Sequence, residues 1–234
     1  MTTAELQNFY EEPDVTVVSG SERASRQLAM MRDLLAGPPQ RILDVGCGDG
    51  SATSALLAQH PGHFVVGSDW SMMALGRARA RGVPVVQAGI DRLPVADQRL
   101  DVVIMSELIE HLVDTDAALE EIHRVLRPGG TLLLSTPNLA AWFNRVLLAA
   151  GVQPVFSEVS LRAVHGRPGE QVVGHLRMFT LRALTGLLAA NGFRCDRVAG
   201  APYHDIPGPL RPLDRLLCHR PSLASILLVR ATRL

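Results

Sequence analysis

Apolar and polar positions along this chain switch repeatedly between the period of a strand and the period of a helix. From Ser21 onward, Leu28, Met31, Leu34 and Leu35 share one face of an amphipathic helix, which Gly37-Pro38-Pro39 ends. Ile42-Leu43-Asp44-Val45 then reads as a buried strand, and Ser51-Ala52-Thr53-Ser54-Ala55-Leu56-Leu57 as an opening helix. The unit repeats with a strand over 64–68 that ends in Asp69, a helix over 74–81 and a strand over 83–87. Residues 99–105 are a near-continuous apolar run, the pattern of a strand covered on both faces, and 131–136 supply a fifth strand.

Between Asn138 and His175 the repeating α/β pattern stops. Residues 139–150 predict a strongly apolar helix, and 153–174 predict a loop punctuated by Pro154, Gly166, Pro168 and Gly169. Leu181, Leu184, Leu187 and Leu188 then mark a capped helix stopped by Asn191-Gly192. Residues 193–200 and 223–231 predict the last two strands, with a long proline-rich loop over 202–221 between them.

A chain of 234 residues with 47% hydrophobic content can bury one substantial core, so a single domain over 1–234 is expected. Formal net charge is zero, which gives no global field to attract phosphate backbones and argues against nucleic acid as the substrate. Cys47, Cys195 and Cys218 have no C-x-x-C spacing, so neither a disulfide framework nor a zinc cluster is expected, and a reducing cytoplasm is the simplest home. The chain contains no lysine, which excludes Schiff-base chemistry and a P-loop lysine. Its start lacks the features of a signal peptide, and its apolar stretches fall short of the roughly 20 residues that span a bilayer, so no integral membrane association is expected.

Candidate chemistry begins at Asp44-Val45-Gly46-Cys47-Gly48-Asp49-Gly50, where a strand feeds into glycines at alternate positions and then into a helix. Glycine there tolerates positive φ and lets the backbone touch a bound molecule. The spacing is G-x-G-x-G, not the G-x-G-x-x-G of dinucleotide enzymes, which leaves a nicotinamide dehydrogenase as the runner-up enzyme. With Asp44 included, the stretch resembles the first motif of class I S-adenosylmethionine-dependent methyltransferases. Asp69, about 20 positions on at the end of the next strand, stands where a carboxylate accepts both ribose hydroxyls. Trp70 and Ser71 follow it as in that family, with Trp70 placed against the adenine. Ser106-Glu107-Leu108-Ile109-Glu110-His111, then residues 117–130, resemble the family's Glu-His segment, helix and Pro-Gly-Gly turn.

The resemblance implies an α/β fold with a doubly wound, seven-stranded Rossmann-like sheet, an antiparallel last strand and an insertion after the fifth strand. It implies S-adenosyl-L-methionine as cofactor, held by Asp44, Gly46, Cys47, Gly48, Gly50, Asp69, Trp70, Ser71, Ser106, Glu107 and His111. Gly89 stands where the family usually has an acidic residue facing the adenine amino group, so Asp91, or the backbone of Gly89 and Ile90, is expected to substitute. The N-terminal cap and helix, 1–40, are expected to fold over the cofactor, where Tyr10, Arg23 or Arg26 can close the site or hold a carboxylate.

Residues 138–175 form the substrate-side insertion, with Trp142, Phe143, Leu147, Leu148, Val155 and Phe156 as an apolar lining; a dimer contact or surface anchor is the competing reading. Absence of an Asn/Asp-Pro-Pro-Tyr or Pro-Cys motif after the fourth strand favours a small-molecule methyl acceptor. In-line displacement from a sulfonium needs positioning and exclusion of water and no metal. A hydroxyl acceptor also needs a base, for which His111, His165 and His175 are the candidates, with Glu107 and Glu158 behind them. The expected function is O- or N-methylation of a small, partly apolar metabolite in biosynthesis, secondary metabolism included, by a monomer or homodimer. The alternative is a catalytically inactive cofactor-binding accessory protein.

Overall fold

The computed structural model describes residues 22–169 and 172–234. Seven strands form one sheet in the order β3-β2-β1-β4-β5-β7-β6. They are β1 (Arg41–Val45), β2 (Phe64–Asp69), β3 (Val85–Gln87), β4 (Leu100–Ser106), β5 (Leu126–Pro137), β6 (Phe193–Ala201) and β7 (Ile226–Arg233). The first five pair in parallel, and β7 runs antiparallel to both β5 and β6, as the family resemblance implies. Central β1 is buried from Ile42 to Val45, because both of its neighbours are paired strands and helices cover both faces.

The helices are α1 (Glu22–Ala29), α2 (Arg32–Leu35), α3 (Ser51–Gln59), α4 (Met72–Ala80), α5 (Thr115–Val125), α6 (Trp142–Ala149), α7 (Leu181–Ala190) and α8 (Arg211–Leu217). Strand alternation divides the core into two layers. Leu43, Val45, Val103 and Met105 pack with α5 and α7 through Leu119, Ile122, Leu184 and Leu188. Ile42, Val102 and Ile104 face the other way, toward Met30, Met31 and Leu56. Side-chain oxygens of Ser71, Asp114 and Thr180 accept the backbone N–H groups of Ala74, Ala117 and Ala183 and so start α4, α5 and α7.

Several boundaries differ from the sequence reading. The first helix is two, because Met30 and Met31 are both fully buried and successive residues on one straight helix point about 100° apart. A turn at this pair sends both inward, and Arg230 donates to the Met30 carbonyl it exposes, at 3.0 Å. The apolar helix of the insertion starts at Trp142, not 139, since Asn138 is spent on anchoring: its Nδ2 donates to the Ala224 carbonyl at 2.8 Å and its Oδ1 accepts from Ala140 N. Residues 202–221 are not all loop. They contain α8, where Pro212 sits in the first turn and removes only an N–H that has no intrahelical partner. β7 begins at Ile226 because Leu223 and Ser225 tether the insertion instead, accepting from Trp142 N and Asn138 N.

Gly50 shows how tightly the third glycine of the turn is built in. Its φ is +71°, and a Cβ there would lie 2.6 Å from the Ala78 Cβ on α4. Left-handed backbone and overpacking together predict that Gly50→Ala costs about 3 kcal/mol. Urea unfolding measures this, and an unshifted midpoint would remove the close approach of α3 and α4 as its cause. Among the described residues no helix is long and apolar enough to cross a membrane.

Candidate active site

β1, β2 and β4 all end at one edge of the sheet, and a cavity of about 1620 Å³ opens there. This is the switch point of the sheet, where ligands of open α/β folds bind.

At the end of β1, Gly46, Gly48 and Gly50 all have φ between 54° and 71°. Gly46 N and Cys47 N donate to the Ser68 carbonyl at 2.8 and 3.0 Å, tying the turn to β2. Asp69 completes the link: its Oδ2 accepts from Gly48 N at 3.0 Å and its Oδ1 from Ser71 N at 2.9 Å. One carboxylate therefore holds both the glycine turn and the start of α4. Asp44 is buried and accepts from Thr53 Oγ1 at 2.5 Å. Burial pushes its pKa up to about 6 against that hydrogen bond, with the Asp69 charge adding to the rise.

Cys47 lines the cavity, and a Cβ on Gly67 would lie 2.7 Å from its Sγ, so the sulfur fills the space Gly67 leaves. Burial, with Asp44 and Asp69 nearby, pushes the thiol up and keeps it neutral. Trp70, Ser71, Gly89, Ile90 and Asp91 line the same cavity, whereas Gly50 does not and serves packing. A Cβ on Gly89 would lie 2.4 Å from Asp91 Oδ1, so the Asp91 carboxylate occupies the start of the path that an acidic side chain at 89 would take.

The N-terminal helix lies over the strand ends through a residue that sequence reasoning missed. Buried Gln27 accepts from Ser106 Oγ at 3.0 Å and from Arg23 Nη1 at 3.3 Å. Arg23 lines the cavity and also donates to Ser135 Oγ. Arg26 does not line it: its guanidinium donates to the Gly200 carbonyl at 2.7 Å and pairs with Glu22, which ties α1 to β6. Tyr10 lies outside the described residues.

After β4 stands a short 3-10 turn, Ile109–His111, whose residues Glu110 and His111 line the cavity. Glu107, at φ +51°, precedes it, and its Oε1 accepts from Ser135 Oγ at 2.7 Å. The His111 and His175 rings approach to 4.8 Å between centroids. Burial, then the neighbouring His175, pushes His111 down to about 3; burial also lowers His175. Both imidazoles are therefore neutral at ordinary pH. His165 is exposed on the insertion and does not line the cavity, so geometry separates it from the other two.

Glu158 is not placed as a base. Its carboxylate accepts from the backbone N–H groups of Val173, Gly174 and His175 at 2.7, 2.8 and 3.0 Å and pairs with buried Arg167 at 3.1 Å, so it shapes the loop that carries His175. Glu110 was missed as a site residue. It is 1% exposed, and burial with the nearby Glu107 charge raises its pKa well above the usual carboxylate range. A charged residue inside the apolar run Leu108 to Leu112 is the sequence signal that could have found it.

Trp142, Phe143, Leu147, Val155 and Phe156 of the insertion line the cavity, with Tyr203 from the segment after β6; Leu148, exposed, does not. Phe156 joins this wall by edge contacts to Phe143 and Tyr203, at 6.0 and 4.8 Å between ring centroids.

A family model described as a methyltransferase domain matches residues 21–198. The demethylmenaquinone methyltransferase of Mycolicibacterium paratuberculosis (strain ATCC BAA-968 / K-10) is 37% identical over 134 residues, 56% of this chain and 57% of that protein. The match therefore spans little more than half of that relative's length. A demethylmenaquinone methyltransferase of Mycobacterium bovis (strain BCG / Pasteur 1173P2) is 31% identical over 180 residues, 71% of this chain and 76% of that protein. Among solved structures, a Burkholderia thailandensis 1,6-didemethyltoxoflavin-N1-methyltransferase, which holds 1,6-didemethyltoxoflavin and S-adenosylhomocysteine, is similar in fold. Its TM-score is 0.60 at 21% identity, over 92% of this chain and 80% of that one.

Proposed function

This chain belongs to the S-adenosylmethionine-dependent methyltransferases, and we propose that it methylates an oxygen or nitrogen of a small, partly apolar metabolite. The observation that carries the proposal is continuity: one cavity runs from Asp44 and Asp69 to His111, His175 and the apolar wall of Phe143, Phe156 and Tyr203. Its volume exceeds the roughly 300–1,000 Å³ of an ordinary single-ligand pocket, which suits two ligands side by side.

The residues present fit the donor. Buried Asp44 is a carboxylate with one hydroxyl partner at its site, suited to an ammonium, and Asp69 offers two oxygens to a pair of sugar hydroxyls. S-adenosylmethionine, when bound, supplies a methyl group already activated on a sulfonium. The chain's own work is to hold the acceptor in line and exclude water, with the neutral imidazoles of His111 and His175 at the acceptor end of the cavity. In this reading residues 138–175 are a cover over the acceptor, since their aromatic side chains turn inward on the cavity.

A thermal-shift titration with S-adenosylmethionine and S-adenosylhomocysteine, followed by a methyl-transfer screen that includes quinols, phenols and amines, tests the proposal. Quinols enter the panel because the mycobacterial relatives are named for demethylmenaquinone. Binding of both compounds with no transfer to any class would favour the accessory-protein reading. No binding at all would end both.

Asp44 gives the donor site a pH dependence with a definite sign. In the unliganded protein its pKa is about 6, above the roughly 4 of an unfolded chain, so the folded state takes up a proton between those values. The ammonium pairs only with the ionised form. Donor affinity is therefore expected to fall as pH drops below about 6, approaching tenfold per unit. Calorimetric titration across this window checks it, and Asp44→Asn should bind weakly with the slope abolished; a wild-type affinity that is flat down to pH of about 4.5 would remove Asp44 from the donor site.

A further inference from the structure

Two imidazoles and a carboxylate meet at the acceptor end in a way that proton transfer alone does not require. One ligand atom each from Glu110, His111 and His175 lies within 4.8 Å of the others. Glu110 Oε2 accepts from Thr136 Oγ1 at 2.9 Å, while Oε1 is buried and has no hydrogen-bond partner among the described residues. A buried carboxylate oxygen left this way is costly unless something binds it.

Both rings are oriented from behind. His111 Nδ1 lies 3.1 Å from the Gly174 carbonyl, and His175 Nδ1 lies 2.9 Å from the Phe156 carbonyl. A carbonyl only accepts, so each Nδ1 carries the proton and each Nε2 presents its lone pair, which is how backbone carbonyls fix the tautomer of metal-binding histidines. The frame is stitched as well: the Glu110 carbonyl accepts from Leu176 N and Arg177 N at 2.8 and 2.9 Å, joining the two segments that carry the ligands. Glu107 adds a second carboxylate beside the group, its charge acting on both Glu110 and His175.

We propose that Glu110, His111 and His175 bind a divalent transition-metal ion, whose remaining positions take the methyl acceptor through a hydroxyl and an adjacent second oxygen. Imidazole ligands suit iron, nickel or zinc ions better than magnesium, and three protein ligands leave coordination positions open toward the cavity. The acceptor class rests on the methyltransferase reading; the metal site does not. The ion deprotonates the acceptor hydroxyl, whose proton passes to water. That oxygen's electron pair forms the new O–C bond, and the C–S pair leaves on sulfur as a neutral thioether. The sequence expectation that no metal takes part is thereby revised for the acceptor, although the donor still needs none.

The test uses the full chain freed of metal by a chelator and titrated with cobalt(II) chloride, read by visible d–d absorption and by thermal shift. A single equivalent should bind, and Glu110→Gln and His175→Gln should each weaken it by about 100-fold. Both variants should keep the thermal shift with S-adenosylmethionine, which shows that they fold and separates this result from the donor site. Wild-type protein that gives no cobalt spectrum into the millimolar range, or variants that bind cobalt as well as wild type, would overturn the metal site. Failure of S-adenosylmethionine to bind, with the cobalt spectrum intact, would instead overturn the methyltransferase reading.

Discussion

Asp69→Ala is expected to lower the affinity for S-adenosylmethionine by at least about 100-fold while the chain stays folded. A hydrogen bond to a charged group contributes about 1.5–3 kcal/mol, and loss of two sugar contacts at 1.4 kcal/mol per tenfold gives a factor of about 10² to 10⁴. The same substitution releases Gly48 N and Ser71 N, so the glycine turn loses its tie to α4 and the donor loses a preorganised seat as well as a partner. Asp69→Asn should be nearly as damaging, because an amide has one oxygen and would set its NH₂ against one of those two N–H groups. Calorimetric titration beside circular dichroism measures both. An Asp69→Ala affinity within a factor of about three of wild type would remove this carboxylate from the donor site.

The second large effect is on stability and lies outside the reacting groups. Asp214 is 1% exposed and accepts from Ser225 Oγ at 2.5 Å, Trp142 Nε1 at 2.9 Å and Tyr203 N at 3.1 Å. A single carboxylate on α8 thus joins the insertion helix α6, the approach to β7 and the segment after β6. Asp214→Ala strands three donors, the buried Ser225 hydroxyl and the half-buried Trp142 and Tyr203 N–H groups, and is expected to cost about 3–5 kcal/mol, near 10 °C in Tm for a chain of this size. Trp142 and Tyr203 both line the acceptor end, so KM for the acceptor should rise more than the Kd of the donor. A Tm unchanged within about 2 °C would mean that the apolar packing of α6 holds the cover without this hub.

The side of the cavity proposed for the donor was legible because its signals are local. Asp44, the alternate glycines and Asp69 fall on strand ends and turns whose backbone requirements are written in neighbouring residues, and the structure places them around one cavity. Gly50 lay within the motif but outside the cavity, since a glycine that lets two helices approach reads the same as one that lets a ligand approach. Arg23 and Arg26, three residues apart, were indistinguishable on paper; helix rotation sends one to the cavity and the other to Gly200. Likewise His165 and His175 share one loop, and it is His175 that is held inward, by Glu158 on three successive N–H groups and by the Phe156 carbonyl on its ring.

What the sequence determined by itself is the succession of strands and helices along the chain and the glycine turn after β1, because periodicity, capping and φ are properties of adjacent residues; the antiparallel end of the sheet was implied by the family resemblance. Tertiary structure alone decided the partners of Gln27, Glu110 and Asp214, each of them buried and polar. Such a group must be satisfied by whatever the fold brings against it, and those atoms come from segments far apart in the chain, where no local pattern can specify them.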